Sequence, residues 1–158
     1  MADSPRFRLR PIDADVADRV RRELRSPQYG HPATVDVARG YGPCRQCLRT
    51  FRTGEEDRIL FTYNPVPPGS GLPQPGPVFI HKDPCAPHAA DGVPADLRRL
   101  PLFLEAFGRG TWLVRREPVD GAAIEDDVAA LLRDPAIEQV LVRNAEAGCF
   151  VARVERIG

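Results

Sequence analysis

The sequence predicts an α+β fold, with a mostly antiparallel sheet of about seven short strands and two amphipathic helices. Two observations carry this. Apolar residues recur at helical spacing in only two segments, one around Val16 and one around Val128. Elsewhere, short runs of β-branched and aromatic residues are punctuated by glycine, proline and asparagine, and toward the carboxyl end they come as adjacent pairs.

The elements follow in order. Arg6–Arg10 alternates arginine with Phe7 and Leu9, the period of a half-buried strand. Asp13 and Asp15 open a helix to about Arg25, with Val16, Val20 and Leu24 on one face, acids at its start and arginines at its end. Ser26-Pro27 stops it, and residues 28–43, broken by glycine and proline, read as loop. Arg58–Tyr63 has strand composition. Residues 64–77 hold six prolines and three glycines, which excludes helix and central strand and leaves a long surface loop of the kind that forms lids and rims. Val78–His81 is a short strand that sets His81 on the same face as Phe79. Leu102–Phe107 and Thr111–Arg116 form two strands about a Gly108-Arg109-Gly110 turn. Ala122–Arg133 is the second helix, with Ile124, Val128 and Leu131 or Leu132 facing inward and Asp134-Pro135 ending it. Ile137–Arg143 and Cys149–Val154 complete the sheet as a hairpin turned by Asn144–Gly148.

A length of 158 residues fits one domain, residues 1–158, by the prior of roughly 100–200 residues each. Such a chain supports a core without needing metal or disulfides merely to fold. With 22 basic and 22 acidic residues, no global field draws it to nucleic acid or an anionic membrane, and no basic stripe with interleaved aromatics appears. The expected partner is therefore an unidentified small molecule or protein. Lys82 is the only lysine, and this arginine bias reads as the codon usage of a GC-rich bacterial genome. Met1–Arg10 has no apolar core of a secretory signal, and no apolar run approaches the ~20 residues of a membrane span. The expected compartment is the cytoplasm, where thiols stay reduced and paired cysteines serve metals or catalysis more often than disulfides.

The chemistry concentrates in Cys44-x-x-Cys47 and His81-x-x-x-Cys85, separated by 33 residues. Zinc takes thiolate and imidazole ligands tetrahedrally, and a tight turn lets two cysteines of the first pattern aim at one point. Pro43 suits that turn, and Asp83-Pro84 bends the chain between His81 and Cys85. The expected metal ligands are Cys44, Cys47, His81 and Cys85, with His88 as an alternative ligand or a base. A closed set of four would be structural. Arg45, Tyr63 and Lys82, with His88, are candidates for a small-molecule or peptide-binding surface around it.

A second reading makes the cluster catalytic. Cys85 or the Cys44/Cys47 pair would be a thiolate nucleophile or redox couple, favoured by Arg45 and Arg49, with His81 or His88 as base. A zinc held by only three residues would instead activate water. Cys149 reads as a buried core residue and His31 as a solvated loop residue. Glu55-Glu56-Asp57 reads as a solvated turn, and Gly108–Gly110 lacks the rest of a dinucleotide fingerprint.

Three strings carry a resemblance over essentially the whole chain. They are Gly42-Pro43-Cys44-Arg45-Gln46-Cys47-Leu48-Arg49 followed by Gly54-Glu55, then Gly76-Pro77-Val78-Phe79-Ile80-His81 with Cys85, and finally Gly148-Cys149-Phe150-Val151-Ala152-Arg153. With its Pro-Cys-Arg-x-Cys-Leu and Gly-Pro-x-Phe-x-His-x-x-x-Cys motifs, the chain resembles a family of small bacterial proteins classed only as a domain of unknown function. The resemblance supports the site and implies no reaction.

Overall fold

In the computed structural model, which describes residues 5–66, 69 and 71–157, two antiparallel sheets and two helices share the chain. Residues 1–4 of the amino-terminal segment and Pro67, Pro68 and Ser70 of the proline-rich loop lie outside the described residues. The strands are β1 (Phe7–Arg10), β2 (Thr34–Val37), β3 (Asp57–Tyr63), β4 (Gly76–His81), β5 (Leu102–Phe107), β6 (Leu113–Val119), β7 (Gln139–Asn144) and β8 (Phe150–Arg156). The helices are α1 (Ala14–Glu23) and α2 (Ile124–Leu132). One sheet has the order β1-β8-β7-β5-β6 and the other β2-β3-β4.

Period-two alternation decides what the larger sheet buries. Leu102, Leu104 and Ala106 of β5, with Val140 and Val142 of β7 and Leu9 of β1, face a core closed by Ile124, Val128, Leu131 and Leu132 of α2. The acids Glu125, Asp126 and Asp127 in the first turn of α2 suit the positive end of its dipole. A 3-10 turn at Gly121–Ala123 supplies the start expected of the helix itself, and the Asp120 carboxylate accepts the Ala122 amide at 3.1 Å. The opposite face of the larger sheet offers Phe107, Leu141 and Phe150 to a second core, made with Ile59, Phe61, Val78 and Ile80 of the smaller sheet and Ala17 and Val20 of α1.

Three details differ from the sequence reading. Residues 34–37 form an edge strand rather than loop, pairing Val35 with Ile59. Three of its four residues are exposed, so burial left little apolar signal to read. The sheet is parted in two, because β3 and β4 pair with β2 and not with the carboxyl-terminal strands. Helix α1 stops at Glu23, and Leu24 takes a left-handed conformation (φ 52°) as its cap, donating its amide to Val20 O at 2.8 Å. Leu24 therefore leaves the apolar face and stands 42% exposed, while Ala17 joins Val20 inside. Among the described residues no helix is long and apolar enough to cross a membrane.

Candidate metal centre

Backbone hydrogen bonds shape the Cys44–Cys47 knuckle. The Leu48 amide closes onto Cys44 O at 2.9 Å, with Leu48 left-handed (φ 61°), and the Cys44 amide returns to Arg49 O at 3.0 Å. The Arg45 amide donates to Phe79 O at 2.9 Å, which docks the knuckle on β4 two residues before His81. The knuckle is entered through Gly42, whose φ of +93° suits glycine and whose missing side chain leaves room for Phe51. A Cβ there would stand 2.5 Å from Phe51 Cδ2, and the Phe51 ring rests 4.5 Å from the His81 imidazole. Gly42→Ala is expected to cost about 2–4 kcal/mol, summing left-handed strain and overpacking, as read by urea unfolding.

His81 ends β4, opposite Arg58 of β3, and Cys85 follows the turn at Asp83-Pro84. Cys44 Sγ lies 3.8 Å from Cys85 Sγ, and Cys47 Sγ 3.5 Å from His81 Nδ1. One ligand atom from each of Cys44, Cys47, His81 and Cys85 lies within 4.8 Å of every other, so the four could hold one metal ion. Cys44 is fully buried and Cys47 6% exposed, which keeps bulk water from competing at these sulfurs.

An outer layer orients these four side chains. His81 Nε2 meets Glu56 Oε2 at 3.1 Å and leaves Nδ1 turned to Cys47, the arrangement by which a carboxylate orients a metal-binding histidine. The same Glu56 oxygen accepts the Arg52 amide at 2.8 Å, and that bond first, then His81, holds the carboxyl below its ordinary range. Cys44 Sγ accepts the His81 amide at 3.3 Å. Arg21, reaching from α1, donates Nε to His81 O at 3.1 Å and Nη2 to Cys85 Sγ at 3.6 Å. Gln46 Oε1 accepts from Cys85 Sγ at 3.5 Å. Glu56→Gln is expected to weaken metal binding by about 10–100-fold while leaving the fold intact, measured by competition with a chromogenic chelator.

The neighbouring thiols also shift the titration of His81, Cys47 and Cys85. Hydrogen bonds to Cys44 and then Cys47 push His81 up to about 10. Hydrogen bonds from Cys44 and then Cys85 pull Cys47 well below the usual thiol range, and those with Cys44 and then Cys47 push Cys85 well above it.

The remaining candidates separate from this cluster. Arg45 is buried, with Nε on Phe150 O at 2.7 Å and Nη1 on Pro43 O, so it braces two backbone carbonyls and offers no surface. Desolvation lowers it to about 10, still a cation at neutral pH. Tyr63 is half-buried against Phe61 and Phe150, and burial raises its hydroxyl. It pairs with Gly76, whereas exposed Lys82 adjoins His81 at the other end of β4, roughly 17 Å along the strand. These two residues and Arg45 therefore do not form one binding surface. His88 stands outside the four-ligand set; burial lowers its pKa, its Nε2 is buried without a partner, and its amide ties to Gln46 O at 2.9 Å. Cys149 is buried, and its thiol donates to Ala147 O at 3.8 Å. His31 is exposed and stacks on Tyr29.

Glu56 and Arg21 are among the participants that the sequence reading does not pick out. Glu56 was expected in a solvated turn, and its side chain is only 23% exposed. Its position just ahead of a strand that pairs with the His81 strand was the available signal. Arg21 sits among several arginines of α1, and nothing in the sequence distinguishes it.

No curated protein and no solved structure matches the chain. A family profile described as "Protein of unknown function (DUF1203)" matches residues 41–156, from the loop that carries Cys44 to the end of β8. All four candidate ligand residues fall inside that stretch, and well over half of the chain is covered, so the chain belongs to the DUF1203 family.

Proposed function

We propose that this is a zinc protein whose ion is structural, held by Cys44, Cys47, His81 and Cys85. The carrying observation is the spacing of the ligand atoms. Zinc–sulfur bonds of about 2.3 Å and zinc–nitrogen bonds of about 2.0–2.1 Å, set tetrahedrally, give edges of about 3.8 Å between sulfurs and about 3.6 Å between sulfur and nitrogen. Two of the six separations here are 3.8 Å for Cys44–Cys85 and 3.5 Å for Cys47–His81, and all six lie within 4.8 Å. Three thiolates and a neutral imidazole around a divalent ion leave one net negative charge. Arg21 at Cys85 and Arg49 beside Cys47 offset it.

Four protein ligands fill a tetrahedron, which favours a structural role over water activation. The ion would staple the knuckle to the end of β4 and to the segment after it, with α1 drawn in through Arg21. Thiolate ligation also suits a reducing compartment such as the cytoplasm.

Protein purified without chelator should carry about one zinc per chain by elemental analysis. Its ligand thiols should resist a thiol reagent until a chelator is added. Absence of metal, together with one fast-reacting thiol, would overturn this reading in favour of thiolate chemistry.

The ligands must lose protons to bind, so the sign of the pH dependence follows. His81, at about 10, and Cys85, raised above ordinary thiols, both carry protons near neutrality. Zinc displaces them, so the apparent affinity should rise with pH from 6 to 8 and protons should be released on binding. Calorimetry in buffers of different ionisation enthalpy would measure that release.

A further inference from the structure

The face of the larger sheet turned away from α2 is only partly covered by the smaller sheet. Toward β6 it opens into a cavity of about 570 Å³. That volume lies in the range of about 300–1,000 Å³ typical of small-molecule sites. The proline-rich loop forms one wall with Val66 and Leu72, and the β5–β6 hairpin forms another with Trp112 and Leu113. Phe107 and Leu141 stand on the sheet. The loop is held at its base, where Asn64 Oδ1 accepts the amides of both Val66 and Gln74 at 3.0 Å.

The polar groups of this cavity are few and fixed. Glu105 is 2% exposed and accepts Arg116 at one oxygen, from Nε at 3.1 Å and Nη2 at 2.7 Å. Its other oxygen accepts Arg143 Nε. Arg143 is fully engaged, giving Nη1 to Gly148 O at 3.1 Å and Nη2 to the Gln74 side chain. Arg116 is different. Its guanidinium lies 5.0 Å over the Phe103 ring and its side chain is 60% exposed, and its Nη1 donates to nothing among the described residues. Two guanidiniums face one carboxylate, so one positive charge is left over beside an apolar cavity, on an arginine already held in place. Leu72 and Trp112, 84% and 78% exposed, leave large apolar surface in water at the same place.

We propose that this cavity binds a small organic anion, a monocarboxylate with an apolar body. The carboxylate would sit on the Nη1 edge of Arg116, and the body would cover Leu113, Trp112 and Leu72. Glu105 is the positioning residue for Arg116, one of its oxygens being bound by each of the two arginines. The site shares no residue with the metal centre and stands or falls separately from it.

Trp112 is the only tryptophan of the chain, so its fluorescence reports the cavity directly. The probes are 4-phenylbutyrate and its neutral counterpart 4-phenylbutan-1-ol. The expected result is a saturable blue shift with the carboxylate at a Kd below about 1 mM, and binding of the alcohol at least about tenfold weaker. Arg116→Gln should bring the two probes within about twofold of each other, and Arg116→Lys should keep part of the preference, with zinc content unchanged in both. Leu113→Glu, a change at a half-exposed edge position, should weaken both probes through lost apolar contact and the carboxylate more through repulsion, which narrows the preference. The proposal is overturned by no saturable shift with the carboxylate, by equal affinity for the two probes in the native protein, or by a preference that survives both Arg116→Gln and Leu113→Glu.

Discussion

Cys44→Ser is expected to abolish stoichiometric zinc and to destabilise the chain by about 4 kcal/mol or more. Structural zinc contributes about 10–16 kcal/mol of apparent binding free energy in small zinc-dependent peptides. Here two packed cores exist beside the site, so a part of that figure is expected to appear as global stability. At about 2–4 °C per kcal/mol for a chain of this size, the thermal midpoint should fall by roughly 8–16 °C. Cys44 is the ligand to change because it is fully buried, and its sulfur both faces Cys85 and accepts the His81 amide. A chelator should lower the midpoint of the native protein by a similar amount and leave that of Cys44→Ser where it is. A midpoint indifferent to chelator in both proteins would show that no bound ion holds these segments.

Glu105→Ala should be the most damaging change away from the candidate metal centre. Among the described residues it removes the only carboxylate paired with the Arg143 guanidinium, whose side chain is 8% exposed. Breaking a buried pair in this way costs about 3–5 kcal/mol, because the remaining charge is left in a poor solvent. Arg116 is affected less, since its mostly exposed side chain can turn to water. The double change Glu105→Leu with Arg143→Leu should recover much of the loss. A double-mutant cycle in urea would measure the coupling, and a loss below about 1 kcal/mol for Glu105→Ala would mean that Arg143 finds other solvation.

The parts of the fold that the sequence revealed are those where burial writes a period. Val128 and its neighbours on α2 repeat at helical spacing because one side meets the sheet, and Leu102, Leu104 and Ala106 alternate because every second residue does. Where burial is weak, the signal fails. Strand β2 is an exposed edge, with Val35 and Val37 both in water, and its residues differ little from those of a loop. Leu24 has the spacing of a core residue but lies one step past the last turn of α1, where a left-handed cap swings it outward. The division into two sheets depends on which distant strands pair, and no local pattern encodes that.

The four ligand types were legible because sulfur and imidazole are scarce, and spacing alone brings them into short pairs. Their supporting residues were not. Glu56 and Arg21 belong to common residue types whose roles appear only when β3 lies beside β4 and α1 crosses the cluster. Arg45 misled for the opposite reason. An arginine between two cysteines suggests a charged surface, yet its side chain turns inward to Pro43 O and Phe150 O, carbonyls that only the folded chain places there.

X-ray absorption at the zinc edge on protein purified without chelator examines the coordination shell itself. Three sulfur neighbours at about 2.3 Å and one nitrogen neighbour at about 2.0 Å, with the imidazole scattering pattern, are expected. A shell of oxygen and nitrogen alone, or a preparation with no zinc to measure, would refute the proposed centre.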